Sequence, residues 1–69
     1  MDFRTLRETR GLTNAELARL SGVNNVTISQ IEGGRIRSPT IWTVCKLADV
    51  LGVTAEVVAN AIAETKVPA

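Results

Sequence analysis

The sequence predicts a compact all-α domain built from five short helices. Three observations carry that expectation. Glycines at Gly11, Gly22, Gly33-Gly34 and Gly52, with prolines at Pro39 and Pro68, cut the 69-residue chain into segments of about ten residues. Within each segment the apolar residues recur at helical spacing rather than in strand alternation. Before each segment stands a residue suited to cap a helix N-terminus: Asp2, Thr13, Asn24 or Asn25, Thr40 and Thr54.

Taken in order, the first helix is expected from about Phe3 to Arg10, with Asp2 as its cap and Gly11 closing it. The second starts at Thr13. Thr13-Asn14-Ala15-Glu16 has the form of a capping box, in which hydroxyl and carboxylate each accept a backbone N–H of the other's residue. It is expected to end near Ser21. The third runs over about 25–32 and stops at Gly33-Gly34. A basic loop follows, Arg35-Ile36-Arg37-Ser38-Pro39. Thr40 caps a fourth helix whose apolar face is predicted to hold Ile41, Val44, Ala48 and Leu51, with Leu47 at its border. Thr54 caps a fifth, with Val57, Val58, Ala61 and Ile62 on one side. The tail, residues 66–69, is expected to fray.

Composition bounds the function. A chain this short is expected to form one domain over residues 1–69, with a small core. Its aromatic residues are Phe3 and Trp42 alone, so the core is aliphatic. With one cysteine and no histidine, an internal disulfide and a Cys/His zinc site are both excluded. Cys45 has no histidine to activate it, and the Ser and Thr hydroxyls have no evident base, so the expectation is no enzyme, no metal and no cofactor. Cys45 is read as a small buried hydrophobe and Trp42 as partial cover for the core edge. No apolar run approaches the length of a membrane span and no signal peptide is evident, which predicts a cytoplasmic protein. In that compartment the glycosylation pattern Asn25-Val26-Thr27 is a chance match.

The net charge of +1 is uninformative, but its distribution is not. Residues 1–37 hold six arginines against four acidic residues, whereas residues 38–69 hold two lysines against three. An anionic partner for one face follows from that asymmetry as readily as a solvated helix surface does.

The second and third helices are separated only by Gly22-Val23-Asn24. A three-residue turn with glycine between two short helices has helix-turn-helix geometry. Ala18 is small where the helices cross, Val23 can tuck into the junction, and Leu17, Ile28 and Ile31 supply shared core. Corner geometry alone does not separate a DNA reader from a corner that binds nothing.

The outward side of the third helix follows from its pitch. At about 100° per residue with Ile28 at zero, Ile31 puts the core near 330°, and Ser29, Val26 and Gln30 fall at about 100°, 160° and 200°. Asn25 is reachable from the helix start. Asn and Gln can pair with adenine N6 and N7, Val26 can touch a thymine methyl, and Ser29 permits close approach. Asn25, Val26, Ser29 and Gln30 are therefore the candidate base readers. Candidate phosphate contacts flank them: Asn14 at a helix N-terminus, Thr27 on the flank, and Arg35, Arg37 and Ser38 in the basic loop. The alternative for these groups is a polar, solvated surface.

Leu12-Thr13-Asn14-Ala15-Glu16-Leu17-Ala18, Gly22-Val23, Thr27-Ile28-Ser29-Gln30-Ile31-Glu32, Pro39, and Leu47-Ala48-Asp49-Val50-Leu51-Gly52-Val53 together resemble the Cro/repressor-type, Xre-like helix-turn-helix family, which includes the lambdoid phage repressor DNA-binding domains. The likeness runs from about Leu6 to Val58. It departs at Asn14, where the family often has Gln, and at Gly33-Gly34, where it commonly has Asn-Gly. The resemblance implies a five-helix domain, dimeric on DNA, that reads the major groove with its third helix. It also implies an internal ion pair between Arg7 and Glu32, and Glu32 lies on the inward half of its helix.

The function expected is a sequence-specific double-stranded-DNA-binding transcriptional regulator, a repressor acting as a homodimer on a near-palindromic operator. Val58 and Ile62 are the candidate dimer contacts, because the fifth helix carries more apolar surface than its own docking needs. The rivals are a protein-interaction module such as an antitoxin, with a toxin or other regulator as partner, and a helical assembly domain that has lost DNA binding.

Overall fold

The computed structural model describes residues 1–65. The expected fraying at 66–69 lies outside the described residues. Five helices follow one another: α1 (Phe3–Thr9), α2 (Asn14–Ser21), α3 (Asn25–Glu32), α4 (Ile41–Leu51) and α5 (Ala55–Glu64). They pack into a body of 30 × 23 × 22 Å.

The helix starts are local chemistry. Asp2 accepts the Thr5 N–H, Thr40 the Thr43 N–H and Thr54 the Val57 N–H. At α2 the capping box is complete, with the Thr13 hydroxyl accepting from Glu16 N at 3.1 Å and the Glu16 carboxylate from Thr13 N at 3.0 Å. Each such cap satisfies a donor the helix cannot, and contributes about 1 kcal/mol.

All five helices face one core. Phe3, Leu17, Ile28, Ile31, Leu47, Leu51 and Val58 are completely enclosed, and Leu6, Val23, Val44, Ala48, Ala61 and Ile62 are buried beside them. Enclosing one large aliphatic side chain contributes about 1.5–3 kcal/mol, so this cluster carries most of the stability. α1 is tied to α5 through Thr65, whose hydroxyl accepts the Phe3 N–H at 3.2 Å and donates to the Ala61 carbonyl at 3.0 Å.

The structure corrects five side-chain placements, those of Val58, Ile62, Ile41, Trp42 and Cys45. Val58 and Ile62 are only 0% and 3% exposed and belong to the core of the single chain, so they offer no surface to a second copy. Of the apolar surface of α5 that looked excessive, Val58, Ala61 and Ile62 are covered by α4 and α1, which both pack on it, whereas Val57 stays exposed. On α4 the buried face is Val44, Leu47, Ala48 and Leu51, with Leu47 at its border, as expected, yet fully enclosed. Ile41, at 66% exposure, sits in the first turn, where α4 overhangs the core. Trp42 is 75% exposed and covers nothing, since at about 100° per residue it lies nearly opposite the centre of the buried face. Cys45 is exposed for a related reason: it falls about 110° from that centre.

Candidate nucleic-acid interface

The corner between α2 and α3 is built by three residues with different tasks. Gly22 takes φ 75°, a left-handed conformation that a side chain would strain, and its N–H closes α2 on the Ala18 carbonyl. Val23 is buried and pins the turn to the core. Asn24 starts α3, its side-chain oxygen accepting the Val26 N–H at 2.7 Å.

With Ile28 and Ile31 fully enclosed, the opposite side of α3 faces solvent. Asn25, Val26, Ser29 and Gln30 are all exposed, Val26 at 59%, and Thr27 is half-buried on the flank. The exposed Val26 side chain offers an apolar contact, and removing it from water against a partner would be favourable.

The loop after α3 does not wander. Gly33 N–H donates to the Ser29 carbonyl at 2.9 Å, and the N–H groups of Arg35 and Ile36 both reach the Gln30 carbonyl, at 2.8 and 3.2 Å. This reversal needs the left-handed backbone of Gly34, at φ 77°. It folds Arg35 back alongside the outward stripe, and Ile36 packs against the core to hold the loop there. Asn25, Val26, Ser29, Gln30 and Arg35 consequently line one shallow depression. Asn14, the first residue of α2, adjoins it: its Nδ2 donates to the Ser29 hydroxyl at 3.1 Å. Ser38 is exposed farther along the loop.

Arg37 goes elsewhere. Its Nη1 and Nη2 donate to the carbonyls of Thr65 and Ala63, at 2.9 and 3.1 Å, at the C-terminal end of α5. Those carbonyls have no partner within the helix and carry its negative dipole end, which explains why a guanidinium settles there. Arg37 is thus engaged in structure rather than beside the stripe, contrary to the phosphate role read from the basic loop.

One further charged residue borders the corner. Arg19, exposed in the last turn of α2, lines a second shallow depression with Ala15, Ala18, Gly22, Asn24 and Asn25, at the start of α3. The signal was present in the sequence: Ala15, Ala18, Arg19 and Gly22 share one helical stripe leading to the corner.

Beneath the stripe, Arg7 of α1 grips α3. Its Nε and Nη2 donate to the two Glu32 carboxylate oxygens at 2.8 and 3.1 Å, and Nη1 donates to the Leu12 carbonyl at 2.6 Å. The hydrogen bonds to Glu32 hold the Arg7 guanidinium above its ordinary pKa, against the opposing effect of burial.

Comparison with known proteins agrees with this geometry. A family model described as a helix-turn-helix domain matches residues 2–61. The chain belongs to the helix-turn-helix domain family. It is 47% identical over 54 residues to an uncharacterised HTH-type transcriptional regulator of Bacillus subtilis (strain 168), RghRB, covering 78% of this chain and 39% of that protein. It is 42% identical over 53 residues to another, y4dJ of Sinorhizobium fredii (strain NBRC 101917 / NGR234), covering 77% of this chain and 68% of that one. The match therefore spans about two fifths of the first relative's length and two thirds of the second's. No solved structure matches the chain. The family assignment fits the α2–α3 corner, and among the described residues no helix is long and apolar enough to cross a membrane.

Proposed function

We propose that this domain binds double-stranded DNA in a sequence-specific way and regulates transcription as a repressor. The observation that carries the reading is the exposed stripe of Asn25, Val26, Ser29 and Gln30 with Arg35 folded beside it, on a helix whose other face is locked into the core. α3 enters the major groove, where those four side chains meet base edges. Asn14, Thr27, Arg19, Arg35 and Ser38 approach phosphates and set the register. The domain acts as a homodimer on a near-palindrome, its two recognition helices entering successive major grooves about 34 Å apart. Relatives of this chain named as transcriptional regulators support the same reading.

Salt titration of DNA binding tests it. Neutralising phosphates releases counterions, so log affinity falls linearly with log salt. A flat salt response, or no sequence enriched from a random duplex pool at low salt, overturns the proposal. A second reading, a protein-interaction module such as an antitoxin, is favoured by one observation: Ile41, Trp42 and Cys45 form an exposed, wholly apolar patch on α4. Co-purification of a second protein chain, with no DNA enriched, would select it.

A further inference from the structure

The contact between Asn14 and Ser29 restricts what the recognition helix can read. A serine hydroxyl offers one hydrogen and two lone pairs, and ordinarily rotates to suit either a donor or an acceptor. Here the Asn14 amide nitrogen, which can only donate, sits 3.1 Å from Ser29 Oγ. One lone pair is thereby taken by α2, and among the described residues the hydrogen has no partner. When water is excluded an unmet hydrogen costs more than an unmet second lone pair, so the hydroxyl is biased toward donating. Ser29 is exposed and lies in the depression between Val26, Gln30 and Arg35, so that hydrogen is free to meet whatever the stripe meets.

We infer that Ser29 is a specificity-determining residue that reads a base edge as a hydrogen-bond donor, and that Asn14 is the positioning residue that sets this polarity. The inference rests on the DNA-reading function proposed above. In the major groove guanine presents two acceptors, N7 and O6, whereas cytosine presents only the N4 donor. A hydroxyl whose hydrogen still needs an acceptor favours guanine over cytosine at one position of each half-site. Adenine and thymine, which each offer one acceptor, fall between. The second Asn14 N–H remains available to a phosphate, so one amide links the backbone anchor to the base reader.

Reversing the polarity tests this directly. In Asn14→Asp the carboxylate has the same shape but can only accept, so the Ser29 hydroxyl must turn its hydrogen inward and present lone pairs to the groove. The full chain, as wild type and as N14D, N14A, S29A and Q30A, is used to enrich duplexes from a random pool. Affinities are then measured on sites differing at single base pairs, after thermal melting confirms each fold. Wild type should prefer guanine over cytosine at one position by roughly two- to tenfold, the range of a single hydrogen bond. N14D should invert that ratio, while binding all sites more weakly because its new charge faces phosphate. N14A should relax the preference, and S29A should abolish it without altering the position that responds to Q30A. Retention of the guanine preference in N14D or in S29A overturns the inference. If Q30A changes the motif while S29A and N14D do not, only the hydroxyl assignment fails. If wild type enriches nothing, DNA reading fails and takes this inference with it.

Discussion

Arg7 and Glu32 join the first helix to the third through a two-pronged ion pair, with both side chains nearly withdrawn from water at 10% and 13% exposure. The guanidinium fork matches the carboxylate, and its remaining nitrogen takes the Leu12 carbonyl. The pair fixes the end of α3 against the body of the domain, directly behind the outward stripe.

Removing one partner leaves the other charge stranded in a poor dielectric. Arg7→Ala or Glu32→Ala should each cost roughly 3 kcal/mol, the lower end for a buried pair because a little water still reaches it. A domain of this size has only about 3–10 kcal/mol in all, so melting should fall by roughly 12 °C or more. Replacing both residues by apolar ones of similar volume should recover much of the loss. Calorimetry of the two single variants and the double variant checks this, and an unchanged melting temperature in either single variant would refute it.

The two loop arginines should separate cleanly. Arg37→Ala frees the Thr65 and Ala63 carbonyls and should lower stability by about 1 kcal/mol, or roughly 4–8 °C in melting temperature. Arg35 makes no side-chain hydrogen bond or ion pair among the described residues. Arg35→Ala should leave melting unchanged and weaken DNA binding. Equal thermal effects from both would contradict the division.

Val58 and Ile62 give a third contrast. A charge at a dimer surface separates subunits, whereas a charge in the core unfolds the chain. Ile62→Glu should abolish the cooperative far-ultraviolet melting transition at any protein concentration, because an unpaired carboxylate has no partner beside Val58 and Leu51 in that core. A folded, merely monomeric variant would return Ile62 to the surface.

What could be read from the sequence was what depends on neighbours in the chain. The capping box at Thr13 and Glu16, the Gly22 corner and the outward direction of α3 each follow from a few consecutive residues and one helical pitch. What could not be read depends on where a helix ends relative to others. Ile41 has the spacing of a core residue yet overhangs the core, and Val58 and Ile62 looked surplus only until α4 and α1 were laid against them. Arg37 was legible as a loop charge, but its target, the end of α5, lies about 26 residues onward and is brought near only by the tertiary fold.

Acid should weaken the helix starts. Hydrogen bonding from Thr5, through its hydroxyl and then its backbone N–H, holds the Asp2 carboxyl below its ordinary pKa of 3.8. The Thr13 backbone N–H and then its hydroxyl do the same for Glu16, ordinarily 4.5. A carboxylate with a lowered folded-state pKa contributes stability above its unfolded value and loses it as pH falls through the folded one. Melting temperature should hold from neutral pH to about pH 5 and decline below about pH 4. Glu16→Gln, which keeps an acceptor but cannot titrate, should make that decline shallower. A decline unchanged by the substitution would assign it to other carboxylates.

The sharpest functional contrast lies between Gln30 and Arg35, which border the same depression and have different chemistry. Gln30 is uncharged, lies on the outward stripe and carries both a donor and an acceptor, the pair that matches adenine N7 and N6. Its loss should remove roughly 1–3 kcal/mol of discrimination at one base pair per half-site and leave the salt slope unchanged. Arg35 carries charge beside the stripe and gains most from phosphate, which is the same for every sequence. Its loss should weaken all sites alike and reduce the salt slope by about 1 per subunit. Binding measured on single-base-pair variants at several salt concentrations separates the two effects. If Gln30→Ala lowers affinity uniformly, or Arg35→Ala alters sequence preference, base reading and phosphate anchoring are not divided between these residues as their positions imply.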